Sequence, residues 1–138
     1  MMEKYKFFDK ITSDVLFEAY GKDLAEVFVN AAEAMFSVMC KIEQVEAKEG
    51  HTVEVRSDST EGLMVEWLQT LIAEVDIQEM FFSRFEIIEI DETHLKATIH
   101  GESISAEKGE TVVKAVTYHQ YEFKKTEYGY MCRVSLDI

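Results

Sequence analysis

Along this chain the spacing of apolar residues changes from steps of two to steps of three and four and back again. Those changes mark out its elements. Residues 4–8, Lys-Tyr-Lys-Phe-Phe, are short and aromatic-rich and predict a first strand. Asp9 to Asp14 reads as a turn with a small polar corner, Thr12-Ser13-Asp14, and Val15 to Tyr20 returns as a second strand. Leu24, Val27, Phe28, Ala31, Met35, Met39 and Ile42 then recur at helical spacing, an apolar stripe on a helix of about five turns. Asp23, with Glu26 three residues on, resembles a capping box at its start. The methionines and phenylalanines of the stripe read as core.

Glu43 to Arg56 reads as a strand in which Val53 and Val55 alternate with charged neighbours and Gly50 marks a turn. Ser57-Asp58-Ser59, with Glu61 three residues after Asp58, supplies capping chemistry for a second helix. Met64, Trp67, Leu68, Leu71, Ile72 and Val75 occupy one face of that helix. From Phe81 onward the pattern is that of strands. Phe82 to Ile90 and Leu95 to Ile99 flank the polar Asp91-Glu92-Thr93 and predict a hairpin, the second strand half-buried. Gly101 to Gly109 reads as a polar loop or short helix. Val112 to Phe123 and Tyr128 to Leu136 are two further strands, with Lys124-Lys125-Thr126-Glu127 as their turn. The expected fold class is α+β: a single domain over residues 1–138, with a mostly antiparallel or mixed β-sheet and two long helices packed on one face.

Composition narrows the partners. The 138 residues are 47% hydrophobic, enough for one packed core. Acidic residues number 27 against 14 basic ones, a formal charge of -13. Such a surface repels nucleic acid, so direct RNA binding is disfavoured, and it favours a basic partner or bound cations; solubility alone is the competing reading of so much acid. Cys40 and Cys132 lie in apolar neighbourhoods without metal-ligand spacing and read as buried free thiols of a cytosolic protein. With no basic-then-apolar leader and no apolar run near the ~18 residues of a membrane span, a soluble, cytoplasmic protein without a membrane role is expected.

The chain carries no Gly-rich phosphate loop, no nucleophile elbow and no His-Glu-x-x-His helix. His51, His94, His100 and His119 show no metal-ligand spacing, and His94 and His100 read as part of a solvated face. Two stretches stand above this background. In Val113-Lys114-Ala115-Val116-Thr117-Tyr118-His119, alternation places Lys114, Val116 and Tyr118 on one face and Val113, Ala115, Thr117 and His119 on the other. A lysine there can also simply extend its charge to water. The second stretch is the C-terminus, where Asp137 and the α-carboxylate of Ile138 are anions on adjacent residues. If this strand ends beside the Asp14 turn, three carboxylates converge, and their repulsion calls for a cation or protons. All-oxygen ligands favour calcium, magnesium or manganese over zinc.

Thr12-Ser13-Asp14-Val15, Phe17-Glu18-Ala19-Tyr20-Gly21, Ser57-Asp58-Ser59, Val65-Glu66-Trp67-Leu68, Val113 to His119 and the closing Leu136-Asp137-Ile138 together resemble the archease family over the whole chain. One departure is Ile11, where archeases often carry histidine. The resemblance implies a non-catalytic activator of the RtcB-type RNA ligase of tRNA splicing. Such an activator promotes guanylylation and multiple turnover of the ligase and broadens its use of nucleoside triphosphates. It implies a divalent metal site at Asp14, Asp137 and Ile138. GTP and other triphosphates are met through the ligase, with Lys114 and His119 as contacts to the partner or its nucleotide. An alternative is a chaperone or specificity modulator of a tRNA methyltransferase or another RNA-modifying enzyme. A stand-alone metal-dependent enzyme fits least, since nucleophile and base are missing.

Overall fold

The structure is a computed structural model that describes residues 3–8 and 14–138. The expected corner at Thr12-Ser13 and the departure at Ile11 lie outside the described residues. In order, the elements are β1 (Tyr5–Phe7), β2 (Asp14–Gly21), α1 (Leu24–Met39), β3 (Glu49–Arg56), α2 (Thr60–Gln78), β4 (Met80–Ile90), β5 (His94–Ser103), β6 (Ala115–Thr126) and β7 (Gly129–Asp137). A short 3-10 turn, Ile42–Gln44, follows α1.

The strands form two antiparallel sheets rather than one. The first has the order β1-β2-β7-β6 and the second β3-β5-β4. Helix α1 packs against β1, β2 and β7 of the first sheet and β4 of the second, while α2 packs against β6 and against β3, β4 and β5. The helices thus occupy the space the two sheets share, and each sheet has one face on them. Fully buried Phe17, Phe28, Phe36, Trp67, Phe82 and Leu95 build the core there. The Trp67 indole N–H donates to the Phe28 carbonyl at 3.0 Å, tying α2 to α1. This is the α+β class the periodicity predicts, and no helix among the described residues is long and apolar enough to cross a membrane.

Local chemistry explains most boundaries. The Asp23 carboxylate accepts the Glu26 N–H at 2.9 Å, and the Glu26 carboxylate accepts the Lys22 N–H at 3.0 Å, so both sides of the α1 start are capped. Helix α1 stops at Met39, leaving Ile42 in the 3-10 turn instead of the helical stripe. Ser59, rather than Asp58, caps α2, accepting the Gly62 N–H at 3.0 Å. Gly50, read as a turn marker, and Gly101, read as the start of a loop, both lie inside strands, β3 and β5, where a neighbour comes close. The β6–β7 turn falls at Glu127 and Tyr128, later than expected. His94 and His100 are not freely solvated. Each offers Nε2 to a glutamate, Glu54 and Glu86, on the outer face of the second sheet. Cys40 and Cys132 are buried free thiols, and burial pushes both up to about 12, so they stay protonated at neutral pH.

Candidate metal centre

The first sheet brings the two ends of the chain together. β2 and β7 run antiparallel in unbroken register from Asp14↔Asp137 to Gly21↔Tyr130. The first residue of β2 therefore faces the last residue of β7, and two carboxylates stand directly opposed. On the other side of β7, Ala115 of β6 is the partner of Asp137. The Lys114 N–H donates to the Asp137 carbonyl at 2.8 Å and clamps the strand end. Ile138 follows at once, partly buried against the core, so its main chain cannot drift far from Asp137.

Period-two geometry decides what surrounds the pair. Val134 and Leu136 point into the core with Val15 and Phe17, whereas Asp137, Ser135 and Arg133 share the opposite face with Asp14, Leu16 and Glu18. Ser135 is only 1% exposed and its Oγ has no partner among the described residues. Its neighbour across the strands, Thr117, likewise has a buried Oγ1 without a partner. Two unsatisfied hydroxyls thus lie one step along the sheet from two opposed carboxylates. That donor set, all oxygen with spare lone pairs, fits a hard divalent cation. Sequence reasoning missed Ser135 and Thr117. The signal available was the polar run Arg133, Ser135, Asp137 at alternate positions of an otherwise apolar strand.

Farther along the same face, Glu18 accepts from Arg133 Nε at 3.0 Å and Nη2 at 2.8 Å, and from the Tyr20 hydroxyl at 2.8 Å. Burial opposes ionisation of Glu18, but the hydrogen bonds from Tyr20 and Arg133 prevail and hold its carboxyl below the usual range. This group is satisfied, whereas among the described residues the Asp14 and Asp137 carboxylates have no such partner.

The other two candidates contribute no side chain to the carboxylate pair, although the Lys114 main chain is bonded to Asp137. Lys114 precedes β6 with an exposed side chain, and Val113 and Val116 are both buried, so the expected alternation breaks at this point. His119 lies in a wide bulge. Between Thr117↔Ser135 and Glu122↔Arg133, five steps along β6 answer two along β7, and Gln120 takes a left-handed φ of 57°. Tyr118, His119 and Gln120 are exposed there. Two bonds to α2 hold the bulge: Val116 N–H to Gln69 Oε1 at 3.0 Å, and Tyr121 hydroxyl to the Glu61 carbonyl at 2.7 Å. The sheet therefore brings Asp14 and Asp137 together, with Ile138 next in the chain, and leaves His119 away from them. Among the described residues no group of three or more His, Cys, Asp or Glu side chains is placed to hold a metal ion.

The profile of the Archease protein family (MTH1598/TM1083) matches residues 5–138. The chain belongs to the archease family. It is 41% identical to the archease of Methanothermobacter thermautotrophicus over 99% of this chain and 100% of that one. Its identity to the archease of Methanosarcina mazei is 38%, covering 99% and 97%. The solution structure of protein 1598 of Methanobacterium thermoautotrophicum superposes with a TM-score of 0.82 at 39% identity, covering 99% of this chain and 100% of that one. A Thermotoga maritima crystal structure, described as an archease and possible chaperone, shares the fold with a TM-score of 0.67 at 19% identity, covering 100% and 98%. The archease fold thus spans the chain from β1 to Ile138, both strands of the carboxylate pair included.

Proposed function

We propose that this archease is a non-catalytic activator of an RtcB-type RNA ligase, promoting its guanylylation and multiple turnover and widening its choice of nucleoside triphosphate. The observation that carries the reading is the in-register opposition of Asp14 and Asp137 at the end of the chain. Those are the positions at which the archease resemblance puts a metal site. Asp14, Asp137 and the α-carboxylate of Ile138 would hold a divalent cation, calcium or else magnesium or manganese. Bound there, the ion would offset the like charges and give an acidic protein a positive point for phosphate or carboxylate oxygens. With a net charge of -13, the protein is steered toward the electropositive site of an enzyme that handles RNA and a nucleotide, and away from RNA itself. Lys114 and His119 serve as contacts to the ligase or its nucleotide. The cytoplasm is the proposed location.

The test is turnover. Catalytic ligase is mixed with excess RNA halves, GTP and metal, with and without the protein. Multiple rounds with the protein and one without support the reading; a single round in both sinks it. Asp14→Ala and Asp137→Ala abolish the stimulation if the cation site carries it, and unchanged stimulation removes that site from the mechanism. The Thermotoga relative's description as a possible chaperone favours a second reading, a chaperone or specificity modulator of a tRNA methyltransferase. Recovery of a methyltransferase but no ligase on the immobilised protein would select it.

A further inference from the structure

An apolar groove is lined in part by Lys114, the residue whose N–H binds the Asp137 carbonyl. It encloses about 460 Å³ between the C-terminal ends of α1 and α2 and the segment leading into β6, within the size range of sites that take apolar groups. Buried Met39 and Phe81, with Ile72 and Val75, form its floor. Val112, 76% exposed, and Ile104, 45% exposed, stand at its lip. Water-facing aliphatic side chains gathered around one recess are a poor arrangement for a free surface.

The charges around it are set against the helix. Asp76 and Glu110 line the groove, and Glu79 lines a recess that adjoins it through Val75, Asp76 and Ile104. Asp76 and Glu79 stand at the C-terminus of α2, which has no basic residue in its last turn. A helix C-terminus carries partial negative charge, so acids there repel it and cations relieve it. Glu79 also adopts a left-handed conformation (φ 54°, ψ 47°) that glycine takes at less cost. Both features cost stability, and no basic side chain is paired with Asp76 or Glu79 among the described residues to offset them.

We infer that this groove is a docking site for a basic amphipathic segment of a partner protein, its apolar side chains over Val75, Ile104 and Val112 and its cations against Asp76, Glu79, Glu110 and the α2 carbonyl end. Charge complementarity selects this occupant: an acidic segment would add to the repulsion already present and a neutral one would leave it unrelieved. Lys114 connects the two features, its side chain lining the groove while its N–H binds the Asp137 carbonyl. The inference goes beyond ligase activation, and its test needs no ligase.

The full-length protein is titrated with two synthetic helical peptides, one of leucine and lysine and one of leucine and glutamate with the same apolar stripe, while backbone amide signals are followed. The leucine–lysine peptide shifts the amides of Val75, Ile104 and Val112, and added salt weakens it. The leucine–glutamate peptide leaves them in place. Val112→Asp, at an exposed position that does not threaten the fold, lowers affinity at least about tenfold, and Asp76→Lys also lowers it. Shifts spread over the acidic surface away from the groove, or equal affinity for Val112→Asp and the parent, would overturn the inference.

Discussion

Asp137→Asn separates the contribution of the carboxylate pair to folding from its contribution to binding. Asp14 and Asp137 are register partners, and side chains directly opposed across antiparallel strands have Cβ atoms about 4.5–5.5 Å apart. Two unit charges at about 5 Å repel by about 3 kcal/mol at an effective dielectric of 20 and about 0.8 kcal/mol in bulk water. Both residues are half-buried at a sheet end, so about 1 kcal/mol is the working figure. Asparagine keeps the shape and removes the charge. In chelator the variant therefore melts about 3–5 °C above the parent for a chain of this length. Calcium at a hundred times its dissociation constant stabilises the parent by about 2.7 kcal/mol, about 8–13 °C. A site weakened a hundredfold gives about 0.4 kcal/mol at the same concentration, about 1–2 °C. Thermal unfolding followed by circular dichroism, with chelator and then calcium, reads both numbers. A variant that melts below the parent in chelator refutes the repulsion, and one that keeps the full calcium shift refutes the site.

Other substitutions address the surroundings. Ser135→Ala leaves the chelator-treated protein as stable or slightly more stable, because an unpartnered buried hydroxyl is removed, while the calcium-induced shift shrinks; a clear loss of stability in chelator would show that Oγ has a partner. Glu18 has a carboxyl pKa depressed from the ordinary 4.5, so its stabilisation is complete above that value and is lost as pH falls through the lower folded value. Glu18→Gln should accordingly cost about 1 kcal/mol at neutral pH in urea titrations, and the gap to the parent should close below pH 4.5. Gly101→Ala would put a Cβ 1.8 Å from the Phe81 carbonyl oxygen, and since that oxygen is backbone, a loss of about 3 kcal/mol or a failure to fold is expected from the same titration. Glu79→Gly relieves the left-handed strain at the α2 end and should gain about 0.5–1 kcal/mol while weakening the leucine–lysine peptide.

The helices were legible because their determinants are local. The apolar stripes, the Asp23 and Glu26 reciprocity and the Ser57-Asp58-Ser59 cap cluster all lie within a few turns of what they specify. Strand limits were less so. Gly50 reads as a turn and Gly101 as the start of a loop, yet both sit inside strands, Gly101 because the Phe81 carbonyl leaves no room for a Cβ and Gly50 where the His100 ring packs tightly. That closeness belongs to neighbours at other places in the chain. The same holds for the division into two sheets and for the bulge at Tyr118–Tyr121. Both depend on register between distant strands, and alternation within Val113 to His119 carries no trace of it. Asp14, Asp137 and Ile138 could be nominated from composition and from resemblance. Their meeting required β2 to pair with β7 over its whole length.

That pairing makes site and fold inseparable in this sheet. Slipping β7 by one residue on β2 would part Asp14 from Asp137 and would also turn Val134 and Leu136 out of the core. The apolar face therefore guards the geometry of the acidic one. Among the described residues the sequence departs from what folding alone favours at the sheet end, with opposed carboxylates and unpartnered hydroxyls, at the acidic end of α2 beside an open apolar groove, and at the β6 bulge, where Gln120 takes a left-handed φ. The helix caps and the half-buried β5, by contrast, agree with local preference. In a chain otherwise consistent with its fold, such departures mark candidate functional surfaces. Lys114 touches the first two, and a cation at one and a basic segment at the other would each relieve a repulsion the free protein carries.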